Sequence, residues 1–109
     1  MNIENTYRSL YLIRRAEEEV VRLYPTDKIK SPVHLSIGQE AVSVGVCEAL
    51  DAGDIVFGTY RSHALYLAKT GDLKGFFAEL YGKATGCCKG KGGSMHLASV
   101  SQGMMGTSA

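Results

Sequence analysis

Apolar and polar positions alternate with helical spacing in residues 4–24. Arginines and glutamates separate the apolar positions, so the apolar side chains fall on one face of an amphipathic helix. Pro25 ends this helix, because proline lacks an amide proton and its ring clashes with the preceding turn. The polar residues 26–32 then form an extended connection. The apolar positions that define the helix are Tyr7, Leu10, Tyr11, Val20, Val21 and Tyr24.

A second helix is predicted around the segment Ser36–Gln39. Serine followed by glutamine at this spacing has the form of a capping box, which satisfies the free amides at the start of a helix. We therefore expect a helix that begins near Gly38 and runs to Leu50. Gly45 lies inside it and costs on the order of 1 kcal/mol relative to alanine. A close contact with another helix or a sheet at Gly45 would offset that cost.

Shorter elements follow in the second half of the chain. A strand is predicted over residues 55–57 and is ended by Gly58. Tyr60 and Arg61 then fall on a turn that leads from this strand into a helix over residues 62–69. The carboxyl end of a strand in an α/β sheet is a common place for ligand-binding side chains.

Glycines divide the remainder of the chain into short pieces. Gly71 ends the helix before it, and Asp72 caps a further helix that Gly82 closes. Residues 82–93 contain enough glycine and lysine to predict a loop. The segment Gly103–Gly106 is interpreted as a glycine-bracketed turn.

Length, charge and cysteine content exclude several classes of protein. The chain has 109 residues, enough for one small domain, and its net charge of +1 gives no strong attraction to nucleic acid or to an anionic membrane. No apolar run approaches the roughly 20 residues that span a bilayer, and the N-terminal residues lack the pattern of a secretory signal. Two of the three cysteines, Cys87 and Cys88, are adjacent, which suits neither a structural disulfide nor a zinc pair. We therefore expect a reducing cytoplasm.

The glycine-rich stretch Gly90–His96 is the most distinctive part of the sequence. Glycine amides can bind a phosphate closely. The P-loop pattern nevertheless fails, because Thr85 stands where it requires glycine, and the dinucleotide pattern fails at Met95. Taken alone, the stretch is equally consistent with a flexible, solvated loop.

Tyr60 and Arg61 are the best candidates for binding an anion. A guanidinium is a rigid fork of donors that matches a phosphate, and a phenol is a neutral donor beside it. A surface arginine next to a half-buried tyrosine is the alternative interpretation. His34, His63 and His96 lie too far apart for a metal-ligand pattern, and each taken singly is consistent with a hydrogen-bonded structural histidine.

These signals become specific in combination, because they form an ordered set of motifs. The chain resembles the alpha subunit of the thiamine-diphosphate-dependent 2-oxo acid dehydrogenases, with the pyruvate and acetoin types nearest, over residues 7–109. That resemblance implies an α/β thiamine-diphosphate-binding fold, with helices around a mostly parallel sheet. Residues 1–109 would be the largely helical N-terminal portion of that domain. The motifs are His34-Leu35-x-x-Gly38-Gln39-Glu40-Ala41, Tyr60-Arg61-x-His63, Glu79-Leu80-Tyr81-Gly82-Lys83-x-x-Gly86 and Gly90-Lys91-Gly92-Gly93-Ser94-Met95-His96.

The resemblance also implies roles for individual residues. Tyr60 and Arg61 would bind the cofactor's diphosphate, and Ala109 would lie on the strand that contacts the aminopyrimidine. His34 would be the catalytic residue, a proton donor or polar group near the reacting carbonyl. His63 would line the substrate side or support the turn at Arg61.

The cofactor carries the chemistry in the family that the chain resembles. A 2-oxo acid would lose carbon dioxide, and its acyl group would pass to a lipoyl-bearing acyltransferase. A beta subunit would complete the enzyme. Residues Lys30–Val33 depart from the Gly-Phe pattern common before the histidine, which points to a substrate other than pyruvate or acetoin.

Magnesium holds the diphosphate in that family through a Gly-Asp-Gly…Asn segment, which would lie beyond Ala109. Residues 1–109 alone are therefore expected not to bind thiamine diphosphate appreciably. Titration calorimetry that showed micromolar, magnesium-dependent binding to them would contradict this expectation.

Two other interpretations remain from the residues. In the first, the chain is a non-catalytic module that docks onto a beta subunit or a paralogue through its apolar helix faces. In the second, the lysine–glycine loop binds phosphate or nucleic acid. The small net charge and the lack of interleaved aromatic residues disfavour the second.

Overall fold

The computed structural model describes residues 2–108, which form four helices, two strands and two short 3-10 turns. The helices are α1 (Ile3–Leu23), α2 (Glu40–Ala49), α3 (His63–Thr70) and α4 (Leu73–Leu80). The strands are β1 (Val56–Thr59) and β2 (Met104–Ser108). The 3-10 turns are Tyr24–Thr26, directly after α1, and Val100–Gln102, directly before β2.

The two strands pair in parallel, with Thr59 opposite Ser108 at their carboxyl ends. Parallel strands need a long crossover between them, and here α3, α4 and the glycine-rich loop form it. The predicted α/β class is therefore confirmed for the described residues. The register shifts by one residue between Val56 and Phe57, because Met105 of β2 is passed over in the pairing.

The core is centred on α3, which packs against α1, α2 and β2, and α4 adds Phe76 and Leu80 to it. Met104 at the start of β2 is fully buried, as are Ile13 on α1 and Phe76 on α4. Burial of such side chains is worth about 1.5–3 kcal/mol each. Their removal from water therefore fixes the helices to one another and to the strands. The other buried apolar residues are Ala16, Val20, Ile29, Val44, Ala64, Tyr66, Leu67, Leu80 and Leu97.

Helix α1 forms where it was predicted, but part of its predicted apolar face is wrong. Tyr7 and Tyr11 are 65% and 55% exposed and stack on each other at the surface. The buried face instead runs through Ile13, Ala16 and Val20. Ile13, Ala16 and Val20 recur at the three- and four-residue spacing of one helix face, and Tyr7 and Tyr11 lie outside that face.

The predicted capping box of α2 is also wrong. Gly38 has a φ of +90°, outside the helical range, so α2 begins two residues later at Glu40. The Glu40 carboxylate accepts the Gly38 N–H and an N–H from Arg14, 2.6 Å away. The hydrogen bond to Arg14 comes first among the causes that lower the pKa of Glu40. Ser36 is buried and does not cap the helix with its side chain.

The close contact that would offset the cost of Gly45 is not found within the described residues. A Cβ placed there would meet no atom within 4 Å outside its own helix. Nothing in this part of the chain offsets the cost of glycine in α2.

The elements that follow β1 agree closely with the sequence. Gly71 ends α3 in the left-handed conformation, and the Asp72 carboxylate caps α4 by accepting the Gly75 N–H at 3.0 Å.

The predicted turn at Gly103–Gly106 is wrong after its first residue. Gly103 has a φ of +83° and ends the preceding 3-10 turn, and Met104 then starts β2 because its side chain enters the core.

Candidate functional site

The candidate site lies at the carboxyl ends of β1 and β2. Tyr60 and Arg61 directly follow β1, and Ser108 ends the neighbouring strand opposite Thr59. Ligands of open α/β sheets bind in the crevice at this edge. Ala109, the remaining residue predicted to bind the cofactor, lies outside the described residues.

His34 reaches this edge from the extended segment between α1 and α2. Its ring packs on the Tyr60 ring, with 4.5 Å between the centroids and 59° between the planes. Within residues 2–108, Nδ1 of His34 is buried and has no hydrogen-bond partner. A buried polar atom without a partner costs free energy, so such atoms in native proteins need an explanation. A bound ligand is one explanation.

Arg61 holds one nitrogen against the protein and presents the rest of its guanidinium outward. Its Nη1 donates to the Leu35 carbonyl oxygen at 2.5 Å, and its backbone N–H donates to Oγ1 of Thr59 at 3.2 Å. The side chain is exposed and takes part in no ion pair within the described residues. A cation without a carboxylate partner at a strand end is suited to an anionic ligand.

His63 does not share this surface, although it stands two positions after Arg61. It is fully buried, and it bridges two other buried side chains. Its Nδ1 lies 2.7 Å from Oε1 of Glu17, and its Nε2 lies 2.6 Å from Oγ of Ser94. The structure therefore brings His34, Tyr60 and Arg61 together and places His63 beneath them.

The glycine-rich loop is organised from the inside by Glu79, which is fully buried on α4. Its carboxylate accepts backbone N–H groups from Cys88, Gly90, Gly92 and Gly93 at 2.6–2.9 Å. Burial alone would raise the pKa of this carboxyl, but the four amides outweigh burial and hold that pKa below its ordinary value. The loop is therefore an ordered structure wrapped around one buried charge.

This arrangement argues against the loop as a phosphate-binding site. The four amides that would face an anion already face the Glu79 carboxylate. An external phosphate would have to displace that carboxylate and leave its charge buried without partners.

Within residues 2–108, one group of metal-ligand side chains occurs, on α4 and in the glycine-rich loop. The ligand atoms of Glu79, Cys87 and Cys88 lie within 4.8 Å of one another. The Glu79 oxygens are engaged by amides, and burial raises the pKa of the Cys87 thiol to about 11. A thiol must lose its proton to bind a metal, so we assign no metal to this cluster.

A groove of about 340 Å³ borders the candidate site between α2 and β1. Its walls include Val42 and Phe57, whose side chains are 68% and 71% exposed. Exposed apolar side chains of this size mark surfaces that contact another segment, subunit or ligand.

Glu17, Glu79 and Ser94 were missed by sequence reasoning. Glu17 looks like any charged residue of an amphipathic helix, and its burial depends on His63, which lies 46 positions away. Glu79 offered one signal, because an acidic residue before a glycine-rich stretch can accept the free amides of the loop. Ser94 gave no signal outside the motif itself.

The fold and the position of these side chains define an α/β protein whose candidate site lies in the crevice at the carboxyl ends of parallel strands. The chain belongs to the dehydrogenase E1 component family, which it matches over residues 8–109.

Individual relatives in this family are alpha subunits. The chain is 48% identical over 100 residues to the alpha subunit of acetoin:2,6-dichlorophenolindophenol oxidoreductase from Bacillus subtilis (strain 168), covering 92% of this chain and 30% of that protein. It is 43% identical over 100 residues to pyruvate dehydrogenase E1 component subunit alpha-3, chloroplastic, from Oryza sativa subsp. japonica, covering 92% and 24%. It is 46% identical over 92 residues to pyruvate dehydrogenase E1 component subunit alpha from Rickettsia prowazekii (strain Madrid E), covering 84% and 28%.

The chain thus spans 24–30% of the length of these relatives. Within residues 2–108, no helix is both long enough and apolar enough to cross a membrane.

Proposed function

We propose that this chain is the N-terminal portion, residues 1–109, of the thiamine-diphosphate-binding domain of an E1 alpha subunit. Its role is to supply diphosphate and substrate-side contacts in a decarboxylating 2-oxo acid or acetoin dehydrogenase. The observation that carries the proposal is the cluster of His34, Tyr60 and Arg61 at the carboxyl end of β1. Membership of the dehydrogenase E1 component family supports it.

The residues present fit a cofactor with a diphosphate at one end and an aromatic ring system at the other. Arg61 presents a guanidinium with no carboxylate partner in the described part of the chain, which suits the diphosphate charge. Tyr60 is 39% exposed, so its hydroxyl can donate beside Arg61. The unpartnered Nδ1 of His34 supplies a polar contact that the chain itself leaves unused.

Thiamine diphosphate, when bound, would supply the nucleophilic carbon for attack on the substrate carbonyl. Arg61, held by its hydrogen bond to Leu35, would bind and orient the diphosphate. His34, packed on Tyr60, would hold or donate a proton near the reacting oxygen. Magnesium would accompany the diphosphate, and we assign it no ligand within residues 2–108.

The substrate, acceptor and partners are also part of the proposal. The relatives are named as acetoin and pyruvate enzymes, which supports a small 2-oxo acid or acetoin as substrate. A beta subunit is the expected partner, because these relatives are alpha subunits. A lipoyl-bearing acyltransferase is the proposed acyl acceptor. Location in the cytoplasm stays a prediction, since the rice relative is named as chloroplastic.

A docking module is the second candidate, favoured by the exposed apolar side chains of α2 and β1. Val42 and Phe57 lie on one groove and are mostly exposed. In this interpretation the chain contacts a beta subunit or a paralogue and binds no cofactor.

One experiment separates the two candidates. The full-length protein, expressed with its beta subunit, is titrated with thiamine diphosphate and magnesium, and then assayed with acetoin and with pyruvate. Reduction of dichlorophenolindophenol is the readout. Saturable cofactor binding that Arg61→Ala weakens supports the enzyme. A stable complex with the beta subunit that binds no cofactor would instead establish the docking module.

A further inference from the structure

A buried row of three polar side chains includes His63, which lies two residues after Arg61 in the sequence. Glu17 on α1, His63 at the start of α3 and Ser94 after the glycine-rich loop are each fully buried. They connect three separate parts of the sequence through hydrogen bonds of 2.6–2.7 Å. Burial of three polar groups together is expensive unless every one is paired, so their partners define what the group does.

The hydrogen bonds of Glu17 orient the His63 ring. One Glu17 oxygen accepts the Ser36 N–H at 2.7 Å, and the other faces Nδ1 of His63. A carboxylate only accepts, so Nδ1 donates to Glu17 and Nε2 is left facing Oγ of Ser94. Each of the three side chains therefore has a hydrogen-bond partner within the group.

The order of groups is that of an activated serine, but burial excludes that chemistry. Serine, histidine and a carboxylate in a hydrogen-bonded row form the catalytic group of many hydrolases. Here all three side chains are closed off from solvent, so no substrate can reach Oγ of Ser94.

The three side chains instead connect the segment that carries Arg61 with the segment that carries Leu35 and Ser36. Arg61 lies two residues before His63, and its guanidinium is held by the Leu35 carbonyl. The next residue, Ser36, donates its N–H to the same Glu17 carboxylate that binds His63. Glu17 therefore supports Arg61 in two ways. It binds Ser36, the residue after the one whose carbonyl holds the guanidinium, and it binds His63, two residues after Arg61.

Ser94 adds the glycine-rich loop to this frame. Its hydroxyl binds His63, and its N–H donates to Oγ of Ser31 at 3.1 Å. Ser31 lies three residues before His34, so the loop also supports the segment that carries His34.

We infer that Glu17, His63 and Ser94 are positioning residues, which hold Arg61 and His34 at the separation and orientation that the cofactor requires. This rests on the proposed function, since the ligand in question is thiamine diphosphate. None of the three touches the cofactor; they act through Arg61, Leu35 and Ser31.

The test compares isosteric changes with matched controls in the full-length protein assembled with its beta subunit. Glu17→Gln keeps the shape but turns an amide NH₂ toward a donor, and Ser94→Ala removes the partner of Nε2. Glu18→Gln is the matched control, because Glu18 is the exposed neighbour of Glu17 on the same helix. Ile13→Val destabilises the core of α1 without touching the polar chain.

Three readouts are measured on each variant: the melting temperature, the dissociation constant for thiamine diphosphate with magnesium, and the imidazole nitrogen NMR signals of His63. We expect an Nδ1–H tautomer with a slowly exchanging proton in the parent protein. Glu17→Gln should lose that signal and bind the cofactor about tenfold more weakly, because small misplacements of a binding group are costly. Ser94→Ala should weaken binding by a smaller factor, and Ile13→Val should lower only the melting temperature.

The outcomes separate the two proposals. If the parent protein binds no thiamine diphosphate, the proposed function fails, whatever the variants do. If the parent binds it and both Glu17→Gln and Ser94→Ala bind equally well, the positioning role is overturned. If Glu17→Gln does not fold, Ser94→Ala and the NMR signal of the parent decide alone. Equal weakening by Ile13→Val would also overturn the inference, because general stability would then explain the effect.

Discussion

Two groups of polar residues lie within this small structure and differ in how they are paired. In the first group, Glu17, His63 and Glu79 bind partners from the chain itself. At the carboxyl end of β1, Arg61 has no carboxylate partner and Nδ1 of His34 has no partner at all in the described residues. In the first group, the polar side chains stabilise the fold by pairing with other groups of the chain. In the second group, polar atoms are left free to bind a ligand.

The contrast corrects one interpretation of the sequence and agrees with another. The glycine-rich loop has the composition of an anion-binding or flexible loop, yet its amides are engaged by a buried carboxylate. Tyr60 and Arg61, the predicted anion-binding residues, lie at the strand end where ligands of α/β sheets bind. Whether a polar group is available to a ligand depends on its pairing rather than on its residue type.

The largest expected effect is the loss of the Glu79 charge. Glu79→Gln keeps one acceptor oxygen and turns an NH₂ toward two of the four loop amides. Each of the two buried donors left without a partner costs about 1–3 kcal/mol, so the free energy of unfolding should fall by about 2–6 kcal/mol. Urea unfolding measures this, with the exposed Glu48→Gln as control. Equal stability of the two variants would contradict a stabilising role for the four hydrogen bonds from Cys88, Gly90, Gly92 and Gly93 to Glu79, here called the amide cage.

The lowered pKa of Glu79 also predicts how the free energy of unfolding changes at acid pH. The pKa of Glu79 is lower in the folded protein than its ordinary 4.5, so the unfolded state binds the proton more tightly. The contribution to stability is therefore complete above pH 4.5 and is lost as the pH falls through the lower native pKa. The urea midpoints of the parent and Glu79→Gln should converge over that acid range. A difference that stays constant down to about pH 3 would contradict this prediction.

Gly90 tests whether the loop has the close packing that the cage implies. Its φ is +78°, and a Cβ would lie 2.6 Å from the Gly82 carbonyl group. Gly90→Ala should lower the free energy of unfolding by about 1–3 kcal/mol through strain and backbone collision. Gly53→Ala is the control, since a Cβ there meets nothing within 4 Å. Thermal melting of both variants is the measurement, and a tolerated Gly90→Ala would show a loop that moves freely.

Arg61 should show the opposite behaviour to Glu79. Arg61→Ala removes an exposed side chain, so stability should change by less than about 0.5 kcal/mol. The affinity for thiamine diphosphate should fall about 10- to 100-fold, because a charge-assisted contact to the diphosphate is lost. Calorimetric titration of the full-length complex measures it, with the exposed Arg8→Ala as control. A fall in stability without a fall in affinity would remove Arg61 from the site.

The smallest effect is expected at Gly45, which belongs to neither region. Alanine fits a helix better than glycine, and no atom lies within 4 Å of its Cβ position outside its own helix. Gly45→Ala should raise the free energy of unfolding by about 0.5–1 kcal/mol. Chemical unfolding of the full-length protein checks it, and destabilisation there would reveal a close neighbour of α2 outside residues 2–108.

Local sequence signals predicted the elements that depend on local chemistry. Pro25, Gly71 and Asp72 marked boundaries correctly, because a missing amide proton, a left-handed φ and a capping carboxylate act within a few residues. The prediction was wrong where a distant contact decided the outcome. Met104 was placed in a turn, whereas its burial in the core and its pairing with Val56 make it the start of β2.

The candidate site shows the same division. The ordered motifs, including Tyr60-Arg61 and the segment from His34, indicated the family correctly, and the match over residues 8–109 confirms it. The roles of His34, Tyr60, Arg61 and His63 stay predictions. The structure adds that three of these residues share one edge of the sheet while His63 is buried.

By itself, the sequence determined the family, the helix boundaries set by proline, glycine and aspartate, and the position of Tyr60 and Arg61 after a strand. Only the tertiary structure decided which polar groups are paired. Glu17 resembles the other glutamates of its helix in sequence, and folding brings donors from 9–46 residues away to Glu17 and Glu79. Pairing in a buried site depends on distances in space, and those follow from the packing of the whole core rather than from neighbours along the chain.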